Sequence, residues 1–360
     1  MLHYDFSDLV LLVGTNPLPN YVVANFFCAR NHNLKRIWLI QSEKKDNQEG
    51  TVKLADWLVE VLENECSEIK KKGIEFKRTS ISEIGSANII KNEIESTVVA
   101  DYRSRTDKSG IHLNYTGGTK AMSVHVYRTL EKQLGDSCTF SYLDARGFQL
   151  VFDNGDKSDD LRELVSISIV NLFRLHGSEK YEEKKVECTE KMYEDFKQRL
   201  KAGFDNKYGI EKDNKGHCLE KYVWNIVTNG IKNDKEFESR SISILNNWRI
   251  WNTSEHIKFF ETDILLVYGY QVYNISCTIS NDEGKSKLKG MEALHRAAQI
   301  GGDEGRGILV TLLDEEKVDN LRDDLLTFDG SAKEKLLILG KDDIEEKTLW
   351  RRIKDYIMQS

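Results

Sequence analysis

Two clusters of residues in this chain could do chemistry. The first is the run Leu113-Asn114-Tyr115-Thr116-Gly117-Gly118-Thr119-Lys120-Ala121-Met122, which follows the apolar residues Ile111 and His112 and leads into a segment with helical patterning. A polar glycine turn between a strand and a helix aims free backbone N–H groups and the positive end of a helix dipole at whatever lies above it. Paired glycines let a ligand approach the backbone closely. Asn114, Thr116 and Thr119 add neutral donors and acceptors and Lys120 adds a cation, a set that suits a phosphodiester better than a bare inorganic ion. The order is not that of a P-loop: no GxxxxGK[ST] is present, and the lysine follows the threonine.

A second loop, Gly14-Thr15-Asn16-Pro17-Leu18-Pro19-Asn20, follows the apolar strand Leu9 to Val13 and contains both prolines of the chain. Their fixed φ makes it a stiff turn. In an open parallel sheet, loops at the carboxyl ends of strands beside a switch in strand order form the ligand crevice, so both loops are expected to face one pocket.

The other cluster lies in the C-terminal half. Metal-assisted phosphodiester hydrolysis needs carboxylates to hold Mg²⁺ or Mn²⁺, and commonly a lysine to orient water or offset developing charge. In Glu261-Thr262-Asp263-Ile264-Leu265-Leu266-Val267, acids intrude at the start of an apolar strand. Downstream, Lys285, Lys289, Glu292 and Arg296 are spaced i, i+4, i+7, i+11 and share one helix face, with Leu288, Met291 and Ala298 expected on the adjoining buried side. His256 and His295 lack a partner at metal-ligand spacing and read as surface or packing residues.

The elements that must position these residues fall into two groups. From residue 8 to about 152, apolar runs alternate with helical patterns, which predicts a doubly wound α/β sheet closing in a β-hairpin around Ala145-Arg146-Gly147. Residues 153–212 run from DNGDKSDD into a Lys/Glu-rich stretch and read as a helical connector. From Gly216 onward the order is helix, three strand-like runs, helix and strand. The expected architecture is therefore α/β: residues 1–152, a connector at 153–212, and a second α/β domain at 213–360.

A chain of 360 residues exceeds one typical core, which supports two domains. The net charge of −7 argues against a protein coated in nucleic acid, so any polynucleotide must be bound locally. Six cysteines stand without CxxC spacing and read as reduced thiols rather than a zinc site or disulfide frame. No apolar run is long enough to span a bilayer and the N-terminus carries acids, so a cytoplasmic location without membrane contact is expected.

The motif N-x-T-G-G-T-K-x-M after a strand, with a G-T-N-P loop after the first strand, resembles the CARF family, the Rossmann-like sensors of cyclic oligoadenylates in type III CRISPR immunity. The second half resembles the PD-(D/E)xK nuclease fold, with Asp263 in place of its strand aspartate and Glu220, in Gly216-His217-Cys218-Leu219-Glu220-Lys221-Tyr222, in place of its first-helix glutamate. The two together resemble the CARF nucleases activated by cyclic tetra-adenylate. One departure stands out: where the pattern has (D/E)-x-K, this chain reads Ser276-Cys277-Thr278.

The resemblance implies that Thr15, Asn16, Asn114, Thr116, Gly117, Gly118, Thr119, Lys120 and Met122 bind a cyclic oligoadenylate across a homodimer. It implies that Glu220, Asp263 and Glu292 hold Mg²⁺ or Mn²⁺, and that Lys289, with Lys287 as competitor, is the cation for cleaving DNA or RNA. Gly301-Gly302-Asp303-Glu304-Gly305-Arg306-Gly307 resembles the G-G loop before the next strand. Two other readings remain open: a messenger sensor whose degenerate second domain only binds, and a ring nuclease that cleaves its own messenger.

Overall fold

Alternating apolar runs and amphipathic helices build a sheet covered on both faces in the first half of the molecule. The computed structural model describes residues 4–45, 49–178, 180–184, 188–202, 212–251, 258–328 and 332–359. Two units divide after Gly177.

The first unit contains strands β1 (Asp8–Leu12), β2 (Arg36–Ser42), β3 (Glu75–Ile81), β4 (Ile111–Asn114), β5 (Cys138–Asp144) and β6 (Gln149–Phe152). Its helices are α1 (Leu18–Arg30), α2 (Val52–Glu65), α3 (Ser67–Lys72), α4 (Ala87–Ile94), α5 (Ala100–Ser104), α6 (Lys120–Leu134) and α7 (Ile169–Arg174). The sheet order is β3-β2-β1-β4-β5-β6, parallel through β5 with β6 antiparallel, which is Rossmann-like. All five residues of β1 are buried, as a central parallel strand covered by helices requires. The order reverses between β1 and β4, so the loops after these two strands flank the switch point.

The amino end of β1 carries a buried ion pair. Asp8 is fully buried and accepts from both terminal nitrogens of Arg105 (2.6 and 3.1 Å), from Trp38 Nε1 (3.1 Å) and from Ser7 Oγ (2.6 Å). Removing one partner of a satisfied buried pair strands the other, so Arg105→Ala is expected to lower unfolding free energy by about 3–5 kcal/mol. Urea titration at neutral pH checks this; a loss below about 1 kcal/mol would mean that the pair is solvated.

The second unit contains β7 (Lys180–Glu183), α8 (Glu190–Lys201), α9 (Lys212–Asn233), β8 (Ile242–Trp251), β9 (Lys258–Tyr268), β10 (Gln271–Thr278), α10 (Glu283–Gly301), β11 (Arg306–Thr311), α11 (Glu315–Phe328), α12 (Ala332–Lys335), β12 (Leu336–Leu339) and α13 (Glu346–Gln359). Its sheet runs β12-β11-β10-β9-β8-β7, antiparallel from β7 to β10 and parallel from β10 to β12. One sheet face, with Ile264, Leu266, Tyr273, Ile275, Ile308 and Val310, packs against α9 and α13. On the other face Leu309, Leu336 and Ile338 meet Val318, Leu321 and Leu325 of α11 and Leu294 of α10.

The stretch expected as a helical connector, 153–212, is instead shared between the units. Ser158 and Leu161 donate backbone N–H groups to Leu150 and Phe148, and α7 is tied to α2 through Glu65, which accepts from Ser168 and Asn171. Beyond Gly177, β7 pairs with β8 and α8 packs on α9.

Candidate functional site

The two loops of the first unit touch. A Cβ placed on Gly14 would lie 3.0 Å from the backbone N of Gly118, and one on Gly117 only 1.9 Å from the carbonyl oxygen of Leu12. Gly118 is left-handed at φ 73°, which glycine adopts without strain. Thr119 is the N-cap of α6, its side chain accepting from Met122 N at 3.3 Å. The amides of Gly117, Gly118 and Thr119 meet no acceptor among the described residues. Asn16 accepts from Leu18 N at 3.0 Å, while its Nδ2 is buried without a partner. Thr15 and Lys120 are exposed at the rim.

Three of the residues expected at the ligand are placed beneath the loop. Asn114 is fully buried, donating to Ser141 Oγ (3.1 Å) and accepting from Thr116 N (3.3 Å). Thr116 Oγ1 accepts from Leu143 N at 2.6 Å, which ties the turn to β5. Met122 packs in the core with Leu12 and Val126. Sequence reasoning missed Asp153, which accepts from the hydroxyls of Tyr115 (2.9 Å) and Tyr127 (2.6 Å) and so braces the turn from β6. The hydrogen bond to Asp153, with burial behind it, pushes the Tyr127 hydroxyl up to about 12.

In the second unit, Asp263 sits where β9 leaves its ladders. Pairing with β10 ends at Ile264–Ile275, and pairing with β8 passes from Asn246–Ile264 directly to Trp248–Thr262. Asn247, buried and left-handed at φ 55°, stands where the partner of Asp263 would be. Such a conformation in mid-strand is costly for a non-glycine residue and is found where function constrains the backbone. Asp263 Oδ2 accepts from Cys277 N (2.9 Å) and Ser276 Oγ (3.2 Å).

A cavity of about 140 Å³ there brings Asp263, Lys289, Glu292 and Arg296 together with Asn274 and Ser276. Glu292 pairs with Arg296 and, at 3.1 Å, with Lys289. Burial works against the Lys289 ammonium, but Asp263 and Glu292 outweigh it and hold its pKa above the ordinary value. Glu220, on α9, is buried, and its Oε2 has no hydrogen-bond partner. Burial, reinforced by the charge of Asp263, pushes its carboxyl up to about 8.

Other expectations for α10 need correction. Leu288, Met291 and Ala298 are exposed; the buried stripe is Ser286, Gly290, Ala293, Ala297 and Ile300, small residues that let the helix lie close to the sheet. Lys287 turns to Asp324 of α11 (3.0 Å), away from the Asp263 cavity, and Lys285 is exposed. His295 is exposed, and His256 lies outside the described residues. On β10, strand alternation sends Asn274 and Ser276 toward the cavity while Cys277 is buried in the core. Among the described residues no three His, Cys, Asp or Glu side chains converge to hold a metal.

Residues 9–169 match the Card1 CARF domain.

The strand order, the switch point and the two touching loops therefore belong to a CARF unit. Among solved structures, one similar to the whole chain is protein VC1899 from Vibrio cholerae, with a TM-score of 0.63 at 14% identity over 97% of this chain and 98% of that one. Can2 from Sulfobacillus thermosulfidooxidans, solved in complex with cyclic tetra-adenylate, aligns with a TM-score of 0.62 at 12% identity, covering 97% and 99%. A type III CRISPR defence DNA nuclease activated by cyclic oligoadenylate aligns at 0.53 and 15% identity over 87% of this chain and 47% of its own. These likenesses extend the shared fold beyond the CARF unit into the second α/β unit. No curated protein matches the sequence. Among the described residues no helix is long and apolar enough to cross a membrane.

The turn after β4 is pressed against the main chain at the end of β1, so Gly117 should tolerate nothing larger. Gly117→Val is expected to lower unfolding free energy by about 1–3 kcal/mol, because the new side chain must displace the Leu12 carbonyl. Urea titration checks this; unchanged stability would show that the turn relaxes freely around the new side chain.

Proposed function

We propose that this protein is a type III CRISPR ancillary effector in which a cyclic oligoadenylate, most simply cyclic tetra-adenylate, bound by a CARF homodimer activates metal-dependent cleavage of DNA or RNA. The observation that carries the reading is a CARF domain joined to a second unit whose cavity gathers Asp263 and Lys289, with the orphaned Glu220 carboxylate beside it.

In the CARF unit, the amides of Gly117, Gly118 and Thr119 hold phosphate oxygens at the start of α6. Asn16 Nδ2 offers a buried donor for a ribose or base, and Lys120 and Thr15 close the rim. A ring with rotational symmetry suits a twofold dimer that presents this patch twice.

In the second unit, two carboxylates fit a Mg²⁺ or Mn²⁺ site, since such ions keep several waters and take one or two protein carboxylates with substrate phosphate completing the shell. Asp263 and Glu220 would hold the ion; the unpartnered Oε2 of Glu220 is the donor that lacks any other use. When bound, the cation supplies Lewis acidity toward the phosphodiester and a bound water of lowered pKa. Lys289 offsets charge that develops on the phosphate; Glu292, expected as a metal ligand, is instead paired with both Lys289 and Arg296 and holds the lysine in place. Ser276 and the Cys277 amide fix the orientation of the Asp263 carboxylate.

The test is incubation with labelled single-stranded RNA, single-stranded DNA and plasmid in Mn²⁺ or Mg²⁺, with and without cyclic tetra- and hexa-adenylate. Messenger-dependent cleavage that stops on chelation is expected. A second reading, a sensor whose second unit binds nucleic acid without cutting, is favoured by Ser276-Cys277-Thr278 standing where (D/E)-x-K is expected. Tight messenger binding with no cleavage of any substrate would select it.

A further inference from the structure

Helices α8 and α9 bring two thiols together. Cys188 stands one residue before Thr189, the N-cap of α8, and Cys218 lies on α9 two residues before Glu220. Their sulfurs are 2.7 Å apart. A disulfide, at ~2.0 Å, is a small adjustment away from this separation.

The surrounding contacts hold this register. Lys221 bonds Glu190 at 3.0 Å and lies over the ring of Tyr193, and Asn225 Nδ2 donates to the Tyr193 hydroxyl at 2.9 Å. Cys188 is partly exposed, whereas Cys218 is fully buried in the core against α13 and the sheet. A solvent-facing thiol with a second thiol directly behind it is the arrangement of an attacking and a resolving cysteine. Cys188, the more exposed of the two, meets an oxidant first.

We propose that Cys188 and Cys218 form a reversible disulfide, a redox-sensitive clasp between α8 and α9 next to Glu220. With a hydroperoxide as oxidant, the Cys188 thiolate attacks one peroxide oxygen, which it keeps as a sulfenic acid while the O–O bond breaks and hydroxide leaves. The Cys218 sulfur then attacks the sulfenic sulfur. The S–O bond breaks, and the departing oxygen takes the Cys218 proton and leaves as water. Two thiols lose two electrons and two protons, and hydrogen peroxide becomes two waters. A thiol reductant reverses the bond by exchange. A transient bond of this kind is compatible with a reducing compartment.

The experiment uses the full chain, treated with hydrogen peroxide, alkylated, digested and mapped by mass spectrometry. A Cys188–Cys218 peptide is expected, lost on treatment with dithiothreitol. Cys188→Ser should leave Cys218 as an alkylatable thiol. Cys28 and Cys66 neighbour each other in the first unit, so the mapping is repeated in a Cys28→Ser/Cys66→Ser background, where the same cross-link should form to the same extent. Failure to form the cross-link at peroxide levels that oxidise a free cysteine peptide would overturn the proposal. So would pairing with another cysteine, or accumulation of Cys188 sulfinic acid beside a reduced Cys218.

Discussion

Asp263→Asn is expected to reduce messenger-dependent cleavage at least about 10³-fold, some 4 kcal/mol of transition-state stabilisation, while leaving messenger affinity unchanged. Asn is the cleaner substitution than Ala. Its side-chain oxygen can still accept from the Cys277 N–H, whereas Ala would leave that buried donor unpaired at a cost of about 1–3 kcal/mol and confuse unfolding with inactivation. Single-turnover cleavage in Mn²⁺, together with messenger titration, separates the two effects. A loss under tenfold would remove Asp263 from the chemistry and shift the argument to the binding-only reading.

Glu220→Gln is expected to change the pH dependence of stability. The Glu220 carboxyl is pushed from 4.5 to about 8 by burial and then by Asp263, so the folded state holds this proton more tightly than the unfolded one. Across that interval the folded state binds more protons, and stability falls as pH rises. The penalty is absent below about pH 4.5 and complete above about pH 8. In EDTA, Gln should therefore match the wild type near pH 4.5 and exceed it by up to about 5 kcal/mol at pH 9. Added Mg²⁺ or Mn²⁺ should restore much of the wild-type stability at pH 9 and do little for the variant. Urea titrations at the two pH values decide it: a difference that does not depend on pH would show that Glu220 ionises freely in the fold.

Much of the fold was legible because its signals are local. The apolar runs at Leu9–Val13, Arg36–Gln41 and Ile111–Leu113 read as strands, and the glycine turn at Gly117-Gly118 reads as a strand-to-helix junction. β3 carries no apolar-run signal, because Glu75, Lys77 and Arg78 break the pattern in a strand at the sheet edge. The stretch after Phe152 looked like a linker because its polar residues are obvious, while its anchors, Leu161, Leu172 and Phe173, are not contiguous.

Site residues divided along the same line. Asp263 and Lys289 stood out by type and converge in one cavity, although they are distant in sequence. Asn114 and Met122 belong to the motif but are turned inward, because a motif records which residues occur together and not which way each side chain points. Asn247 carried no sequence signal at all: its left-handed backbone is set by three-dimensional pairing on both sides. Leu288 and Met291 misled because apolar residues were assumed to be buried, while Gly290 and Ala293 occupy the face against the sheet.

The contact between Gly14 and the turn after β4 also bears on how this unit can diverge. Main-chain atoms of the two loops meet: a side chain at Gly117 would collide with the Leu12 carbonyl, and one at Gly14 would be tight against the Gly118 amide. Selection therefore has little to work on there: on the proposed function, the two loops would meet what every cyclic oligonucleotide shares. Discrimination between rings of different size would then evolve at the margins, at positions such as Thr15 and Lys120, whose exposed side chains can lengthen, shorten or change charge without disturbing the scaffold. Related sensors would then keep a common grip while their preferred messengers drift apart.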